Sequence, residues 1–170
     1  MIINLVQIEN NLPIDLLIEP SSIDLEDEIV GLTKPLQLIG QLTKKLVQVD
    51  VEGKISGEIE LVCSRCLENA ATNIENNFKV AFVTNDYFTT ETEAELNEAD
   101  LDVSLYDGET IDLIELAREQ MLLEVPTHFV CKVDCKGLCP KCGNNLNNQT
   151  CNCETKEIDP RWAILKKLSD

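Results

Sequence analysis

The eight cysteines of the chain are its most constraining feature, because all of them occur in close pairs. The pairs lie in the segments CSRC, CKVDC, CPKCG and CNC, and their members are Cys63 and Cys66, Cys131 and Cys135, Cys139 and Cys142, and Cys151 and Cys153. A CxxC pair can present two thiolates to one ion from a single turn, and a following glycine lets backbone amides point at sulfur. The pattern predicts structural four-cysteine metal sites, which would supply folding free energy that such short segments cannot obtain from apolar burial.

The spacing of the pairs leaves open which of them share an ion. In one arrangement Cys139, Cys142, Cys151 and Cys153 form a local site, and Cys63, Cys66, Cys131 and Cys135 form a second site that attaches the tail to the body. In the other arrangement the CSRC knuckle meets the CPKCG knuckle, as in a conventional zinc ribbon. We favour the first arrangement because adjacent pairs need the least loop closure.

The expected compartment decides between metal and disulfides. The start of the chain carries acidic residues where a secretory signal would carry lysines, and no apolar run reaches the length of a membrane span, so we expect a cytoplasmic protein without membrane contact. Thiols stay reduced in the cytosol, which favours metal binding. We therefore expect one or two zinc ions, with iron in a rubredoxin-like site as the alternative. A redox CxxC motif should open a helix, and CSRCLENAATN has no helical pattern.

Alternating apolar residues predict strands in the body of the chain. The alternating positions are Val47, Val49 and Val51, then Ile55, Ile59 and Leu61, then Ile74, Phe78, Val80 and Phe82. We interpret VEGKISG and CSRCLENAATN as the turns between these runs, and PIDLLIEP and EIVGLTKPLQLIG as further strands that Pro13, Pro20 and Pro35 push toward sheet edges. No long helical pattern intervenes to supply a parallel crossover, so the expectation is an antiparallel sheet.

The remaining segments predict one or two packing helices and a loop, which makes the fold class α+β. Residues 91–109 hold eight acidic residues and no basic one, so a mobile acidic loop is expected over 85–109. The apolar pattern of TIDLIELAREQMLLEVP predicts an amphipathic helix over 111–124, and DPRWAILKKLSD predicts a short C-terminal helix over 160–168. The predicted organisation is an acidic sheet domain, residues 1–130, followed by a cysteine-rich, zinc-binding tail, residues 131–170.

The formal net charge of −17 is unevenly distributed along the chain. Residues 1–130 hold 26 acidic and 7 basic residues, whereas residues 131–170 hold 5 and 7. A body with this large negative charge repels a nucleic-acid backbone and attracts cationic surfaces. The charge therefore indicates a basic protein partner. The alternative is that the acidity only keeps the chain soluble.

No catalytic residues are identified in the sequence. It contains no phosphate-binding loop, and a metal held by four thiolates has no open position for a substrate. His128, the single histidine, has no catalytic spacing to other residues and is assigned no role. We therefore predict a protein that is not an enzyme and has no small-molecule substrate. The alternative is a zinc- or iron-dependent RNA-processing or redox protein.

The motifs RCLE, CKGLCPKCGNNLN, CNC and the terminal DPRWAILKKL together closely resemble the YceD family, the large ribosomal RNA subunit accumulation proteins of bacteria and plastids. The resemblance implies a role in the accumulation of 23S-type rRNA and hence in assembly of the large ribosomal subunit. Combined with the charge distribution, it suggests that the acidic body binds a basic ribosomal protein or a pre-ribosomal particle while the tail lies near rRNA. The candidate RNA contacts are Lys132, Lys136, Lys141, Arg161, Lys166 and Lys167.

Overall fold

The computed structural model describes residues 1–8, 10–23, 25, 31–84 and 103–153. Within these ranges the chain forms eight strands, one α-helix and two short 3-10 turns. The strands are β1 (Ile2–Asn4), β2 (Asn11–Ile18), β3 (Gly31–Leu32), β4 (Leu36–Lys44), β5 (Gln48–Val62), β6 (Asn69–Val83), β7 (Val103–Leu105) and β8 (Thr110–Asp112), the helix is α1 (Leu113–Leu123), and the 3-10 turns are Leu5–Gln7 and Pro20–Ser22.

The larger sheet is dominated by antiparallel pairs, as predicted. Its strands follow the order β2-β4-β5-β6-β7, with β3 also paired to β5. The longest pair joins β5 and β6 along their full lengths, from Gln48 opposite Val83 to Val62 opposite Asn69. The pairing of β6 with β7 is parallel. A separate two-stranded sheet consists of β1 and β8.

The segment VEGKISG is part of one continuous strand, so its interpretation as a turn was wrong. Strand β5 passes straight through Gly53 and Gly57. Gly53 pairs with Gly40 of β4, and a Cβ atom at Gly53 would lie 2.5 Å from the carbonyl oxygen of Ile39. Glycine therefore allows a close approach between two strand backbones here and does not mark a reversal of the chain.

The two strands preceded or interrupted by proline lie at different places in the sheet. Pro13 is in β2, at the end of the observed strand order, where an absent backbone donor is tolerated. Pro35 comes immediately before β4, which lies between β2 and β5. The expected edge position is therefore found for β2 and is wrong for β4, because Pro35 stands outside the hydrogen-bonded ladder.

The core lies between the larger sheet and a layer made of α1 and the two-stranded sheet. Alternate side chains of the sheet, including Leu38, Ile55 and Ile59, are completely buried against residues of that layer such as Leu113 and Met121. Helix α1 begins where the side chain of its N-cap residue, Asp112, accepts a hydrogen bond of 2.9 Å from the amide of Ile114. Sheet and helix in one core confirm the α+β class.

Part of the predicted acidic loop is ordered secondary structure. Residues 103–105 form β7, and the ring of Tyr106 contacts that of Phe82 edge-on with centroids 6.4 Å apart. The loop was predicted from the acidic residues of this segment, and that prediction did not take account of the apolar side chains of Val103, Leu105 and Tyr106. Residues 85–102 and the predicted helix over 160–168 lie outside the described residues. Within the described ranges, no helix has the length and apolar character needed to cross a membrane.

Candidate metal centre

The connection between β5 and β6 presents the first cysteine pair. Its short turn is closed by hydrogen bonds of 2.9 Å from the Cys63 amide to the Glu68 carbonyl and from the Leu67 amide to the Cys63 carbonyl. Leu67 has φ 57°, a left-handed conformation that reverses the chain. Cys63 and Cys66 are both buried. A long, fully paired hairpin therefore holds this pair at its tip.

The segment that follows α1 brings the second pair to the same point. The amide of Ser64 donates to the Phe129 carbonyl at 2.8 Å, which joins the hairpin tip to the chain just before Cys131. The sulfur atoms of Cys63, Cys66, Cys131 and Cys135 all lie within 4.8 Å of one another. We call this group the hairpin cluster. The Sγ atoms of Cys63 and Cys135 are 3.9 Å apart, and those of Cys66 and Cys131 are 3.7 Å apart.

The other four cysteines form a second group within the tail. The sulfur atoms of Cys139, Cys142, Cys151 and Cys153 also lie within 4.8 Å of one another, and we call them the tail cluster. Its knuckle is closed by a 2.9 Å hydrogen bond from the amide of Gly143 to the Cys139 carbonyl, with Gly143 at φ 73°. Cys139 is buried, whereas Cys142 is exposed.

The structure brings the cysteines together in the favoured arrangement, and CSRC does not share a cluster with CPKCG. Sulfur–metal distances of about 2.3 Å in a tetrahedral zinc site place the sulfurs roughly 3.8 Å apart. The 3.7 and 3.9 Å separations in the hairpin cluster match that spacing. A disulfide would need about 2.05 Å, and all eight cysteines are free. The residues present therefore fit a divalent ion in a four-thiolate site.

Backbone amides favour the thiolate form of Cys63 in the hairpin cluster and of Cys139 in the tail cluster. Hydrogen bonds from the amides of Cys131, Cys66 and Arg65 lower the pKa of Cys63 to about 6. Amides of Cys142 and Lys141 lower the pKa of Cys139 to about 6 in the same way. Burial and the neighbouring Cys63 sulfur instead raise the pKa of Cys131 to about 12. The second negative charge in such a group is costly unless a cation shares the site.

Two polar residues that the sequence analysis did not identify donate hydrogen bonds to Cys135 of the hairpin cluster. Arg65 Nη1 donates to the Cys135 carbonyl at 3.2 Å, and the side-chain amide of Asn147 donates to Cys135 Sγ at 3.3 Å. The hydrogen bond from Asn147 is the main cause of a lowered pKa at Cys135. The asparagine-rich segment GNNLNNQ was the available signal, because short polar side chains in loops often hydrogen-bond nearby groups.

The remaining predicted site residues are only partly within the described ranges. Lys132, Lys136 and Lys141 are exposed on the surface of the tail. Arg161, Lys166 and Lys167, the other candidate RNA contacts, lie outside the described residues. His128 is exposed and belongs to neither cluster.

Comparison with known proteins finds relatives in bacteria and plants. YlbN of Bacillus subtilis, an uncharacterized protein, is 31% identical over 135 residues, which cover 79% of this chain and 74% of that protein. An uncharacterized protein of Mycobacterium bovis is 34% identical over 118 residues, 69% of this chain and 54% of that protein. The "Large ribosomal RNA subunit accumulation protein YCED homolog 1, chloroplastic" of Arabidopsis thaliana is 27% identical over 157 residues, 80% of this chain and 49% of that protein.

The chain thus spans about half the length of the mycobacterial and plant relatives. No solved structure matches it. The family described as "Large ribosomal RNA subunit accumulation protein YceD" matches residues 51–169, a region that contains all eight cysteines. On this match, which covers most of the chain, the protein belongs to the YceD family.

Proposed function

We propose that this protein is a non-enzymatic, zinc-binding factor that supports accumulation of the 23S-type rRNA of the large ribosomal subunit. The match of residues 51–169 to the YceD family carries the proposal. The name of the Arabidopsis relative, an rRNA accumulation protein, agrees with it. We place this activity in the cytoplasm, as the sequence predicted.

The metal is zinc in this proposal, with one ion in each cluster. Zinc is held by four cysteine thiolates in many structural sites, and such a site is closed to substrate. Cys63, Cys66, Cys131 and Cys135 would hold one ion, and Cys139, Cys142, Cys151 and Cys153 the other. Zinc would supply crosslinks between chain segments, and the thiolates would be stabilised by its charge. Iron remains the alternative, because a tetrahedral four-sulfur site suits either metal.

The partner in this proposal is a basic ribosomal protein or a pre-ribosomal particle that carries one. The outer face of the larger sheet supports this, because most of its charged side chains are acidic. The exposed or half-buried acidic ones are Asp15, Glu52, Glu58, Glu60 and Glu75, against Lys54 and Lys79 on the same face. Glu58 is paired with Lys34, and Asp50, on the same face, is buried and paired with Lys45. Such a surface accelerates association with cationic proteins and repels bare nucleic acid. The positive charges of Lys132, Lys136 and Lys141 would allow the tail to lie near rRNA.

Deleting the gene tests the role in rRNA accumulation. The expected result is a lower ratio of 23S-type to 16S-type rRNA, together with co-sedimentation of the wild-type protein with immature large-subunit particles. An unchanged ratio and a protein that sediments alone would contradict the proposal. RNA cleavage or thiol redox turnover by the purified protein would support the enzymatic alternative instead.

Surface charge variants test the mode of binding. Neutralising Asp15, Glu52 and Glu60 as Asp15→Asn, Glu52→Gln and Glu60→Gln should weaken binding to large-subunit proteins and reduce its dependence on salt. The matched control neutralises Lys54 and Lys79 on the same face as Lys54→Gln and Lys79→Gln, and it should leave binding unchanged or strengthen it. Equal effects of both sets would show that this face does not attract the partner by its charge.

A further inference from the structure

One short segment of the tail links the two cysteine clusters through hydrogen bonds. Residues 144–148 lie between Cys142 and Cys151, so both ends of the segment are attached to ligands of the tail cluster. The segment runs beside residues 136–139, which connect the two clusters along the chain. Hydrogen bonds of 2.8 Å from the Cys139 amide to the Asn144 carbonyl and 2.9 Å from the Leu146 amide to the Gly137 carbonyl join the two stretches.

Asn147 is the residue of this segment that reaches a sulfur atom of the hairpin cluster. Its Nδ2 donates to Cys135 Sγ at 3.3 Å and to Asn145 Oδ1 at 2.9 Å, while its Oδ1 accepts from the amide of Lys136 at 2.9 Å. The backbone amide of Asn147 also donates to Asn145 Oδ1, at 2.9 Å. Both ends of the side-chain amide are therefore engaged, and its orientation is determined by three partners.

We propose that Asn147 couples the two metal sites, so that an ion in the tail cluster raises the metal affinity of the hairpin cluster. This inference rests on the zinc binding of the proposed function. An ion bound by Cys139, Cys142, Cys151 and Cys153 closes the loop that carries Asn147 and holds its amide against Cys135. The chain then presents a sulfur that is already oriented and hydrogen-bonded, which is how outer-shell partners strengthen metal sites.

The coupling acts in both directions. Because linkage is reciprocal, an ion in the hairpin cluster raises the affinity of the tail cluster by the same factor. Cys135 then anchors Asn147 and thereby the loop between Cys142 and Cys151. Asn147 is a positioning residue in this scheme, since its side chain acts through the Cys135 sulfur and is not itself a ligand.

The adjacent residue provides a matched control. Asn148 Nδ2 donates to Glu68 Oε1 at 2.9 Å, an exposed contact that also joins the loop to the hairpin. Among the hydrogen bonds of the described residues, none joins the Asn148 side chain to a sulfur atom. Asn148→Ala therefore removes a link of the same kind between the same two segments, without removing the hydrogen bond to a ligand.

The experiment measures the metal affinity of each cluster in the full chain by competition with a chelator, using Zn²⁺ and then Co²⁺ as a spectroscopic probe. Asn147→Ala should lower the affinity of the hairpin cluster by about 10–100-fold and shift its sulfur-to-cobalt charge-transfer band. Asn148→Ala should change neither by more than a small factor. Removing the tail site with Cys151→Ser and Cys153→Ser should also lower the affinity of the hairpin cluster, and adding Asn147→Ala to that variant should have little further effect.

Two kinds of failure are distinguishable. If the wild-type chain binds two zinc ions but Asn147→Ala behaves like Asn148→Ala, the coupling is overturned and the proposed function stands. The coupling is likewise overturned if loss of the tail site leaves the affinity of the hairpin cluster unchanged. A wild-type chain that binds no zinc overturns the zinc-binding part of the proposed function together with this inference.

Discussion

Gly40 of β4 lies directly opposite Gly53 of β5, and the two strand backbones approach closely at this pair. A Cβ atom at Gly53 would lie 2.5 Å from the Ile39 carbonyl oxygen and 3.0 Å from the Cα of Gly40. Both obstructing atoms belong to the backbone of β4. They cannot move aside without shifting a strand whose neighbouring residues Leu38 and Leu42 are completely buried.

Gly53→Ala should therefore destabilise the larger sheet. We expect a loss of about 1–3 kcal/mol in the free energy of unfolding, the usual range for an overpacked site. Ser56→Ala, three residues along the same strand and on its outer face, is the control and should have a much smaller effect. Urea denaturation monitors both variants, and equal midpoints for the two would show that the strands can separate at Gly53 without cost.

A second pair of glycines tests how the tail packs on the hairpin. Gly137 and Gly143 both have positive φ, 70° and 73°, so alanine at either position should cost about 1–2 kcal/mol from the backbone alone. A Cβ atom at Gly137 would also lie 3.0 Å from the Arg65 carbonyl oxygen, whereas nothing lies within 4 Å of one at Gly143. That carbonyl accepts a hydrogen bond from the amide of Leu138.

We expect Gly137→Ala to lower the chelator concentration that removes half of the hairpin-cluster metal, and to do so more than Gly143→Ala. The effect of Gly143→Ala includes any loss that reaches the hairpin cluster through the tail cluster and Asn147, so the excess for Gly137→Ala is a lower bound on the contribution of the contact with Arg65. An effect of Gly143→Ala on the hairpin cluster that equals or exceeds that of Gly137→Ala would contradict this prediction.

Lowering the pH should reveal how much the charge of Asp107, in the turn before β8, stabilises the fold. Hydrogen bonds from the amides of Thr110 and Glu109, and from the Thr110 hydroxyl, lower the pKa of Asp107 below its ordinary value of 3.8. Since the folded pKa is the lower one, the charge of Asp107 stabilises the fold above pH 3.8, and this stabilisation is lost as the pH falls through the lowered value.

The neutral variant Asp107→Asn retains one acceptor oxygen and removes the charge. Its melting temperature should be below that of the wild type at pH 7, and the difference should shrink as the pH drops below about 4. Glu52→Gln, which neutralises an exposed carboxylate on the outer face of the sheet, is the control. A difference for Asp107→Asn that is constant from pH 7 to pH 3 would mean that the charge plays no part.

Metal removal should separate the tail from the sheet. The main core consists of aliphatic and aromatic side chains with no cysteine among them, whereas the hairpin cluster forms its own small buried group. We therefore expect chelation to abolish hydrogen-exchange protection in residues 131–153 and to leave β4, β5 and β6 protected.

Single cysteine variants divide this effect between the clusters. Cys66→Ser should expose the tail up to residue 139 and weaken its contact with the hairpin tip, whereas Cys153→Ser should mainly affect residues 139–153. Unchanged protection in the tail after chelation would indicate that hydrogen bonds alone maintain its structure.

The sequence predicted which eight residues are metal ligands in the proposal, and the overall class, because both depend on local patterns. Paired cysteines, period-two alternation and the apolar face that includes Leu113 and Met121 all lie within short windows. It left the grouping of the pairs open, because the approach of Cys63 to Cys135 depends on the β5–β6 hairpin and on the path of the chain after α1. The role of Asn147 was not predicted for a similar reason, since its contact with Cys135 depends on how the loop folds back.

The continuity of β5 through Gly53 was missed for a different reason. A glycine in an alternating run is compatible with a turn or with close strand pairing, and only the facing Gly40 distinguishes them. Strand β7 was not predicted because the acidic residues before it dominate the composition of the segment. Its apolar residues become informative only once Phe82 and Val83 are seen to lie beside them.

The two halves of the hairpin cluster are separated by more than sixty residues of chain, since Cys66 and Cys131 are 65 positions apart. Translation proceeds from the amino terminus, so the β5–β6 hairpin can emerge and pair before its remaining ligands have been polymerised. A nascent chain that stops short of residue 135 cannot assemble this four-sulfur group, however well its sheet has formed. If the hairpin cluster holds metal as proposed, complete four-thiolate binding is thereby restricted to polypeptides whose elongation has gone past that position.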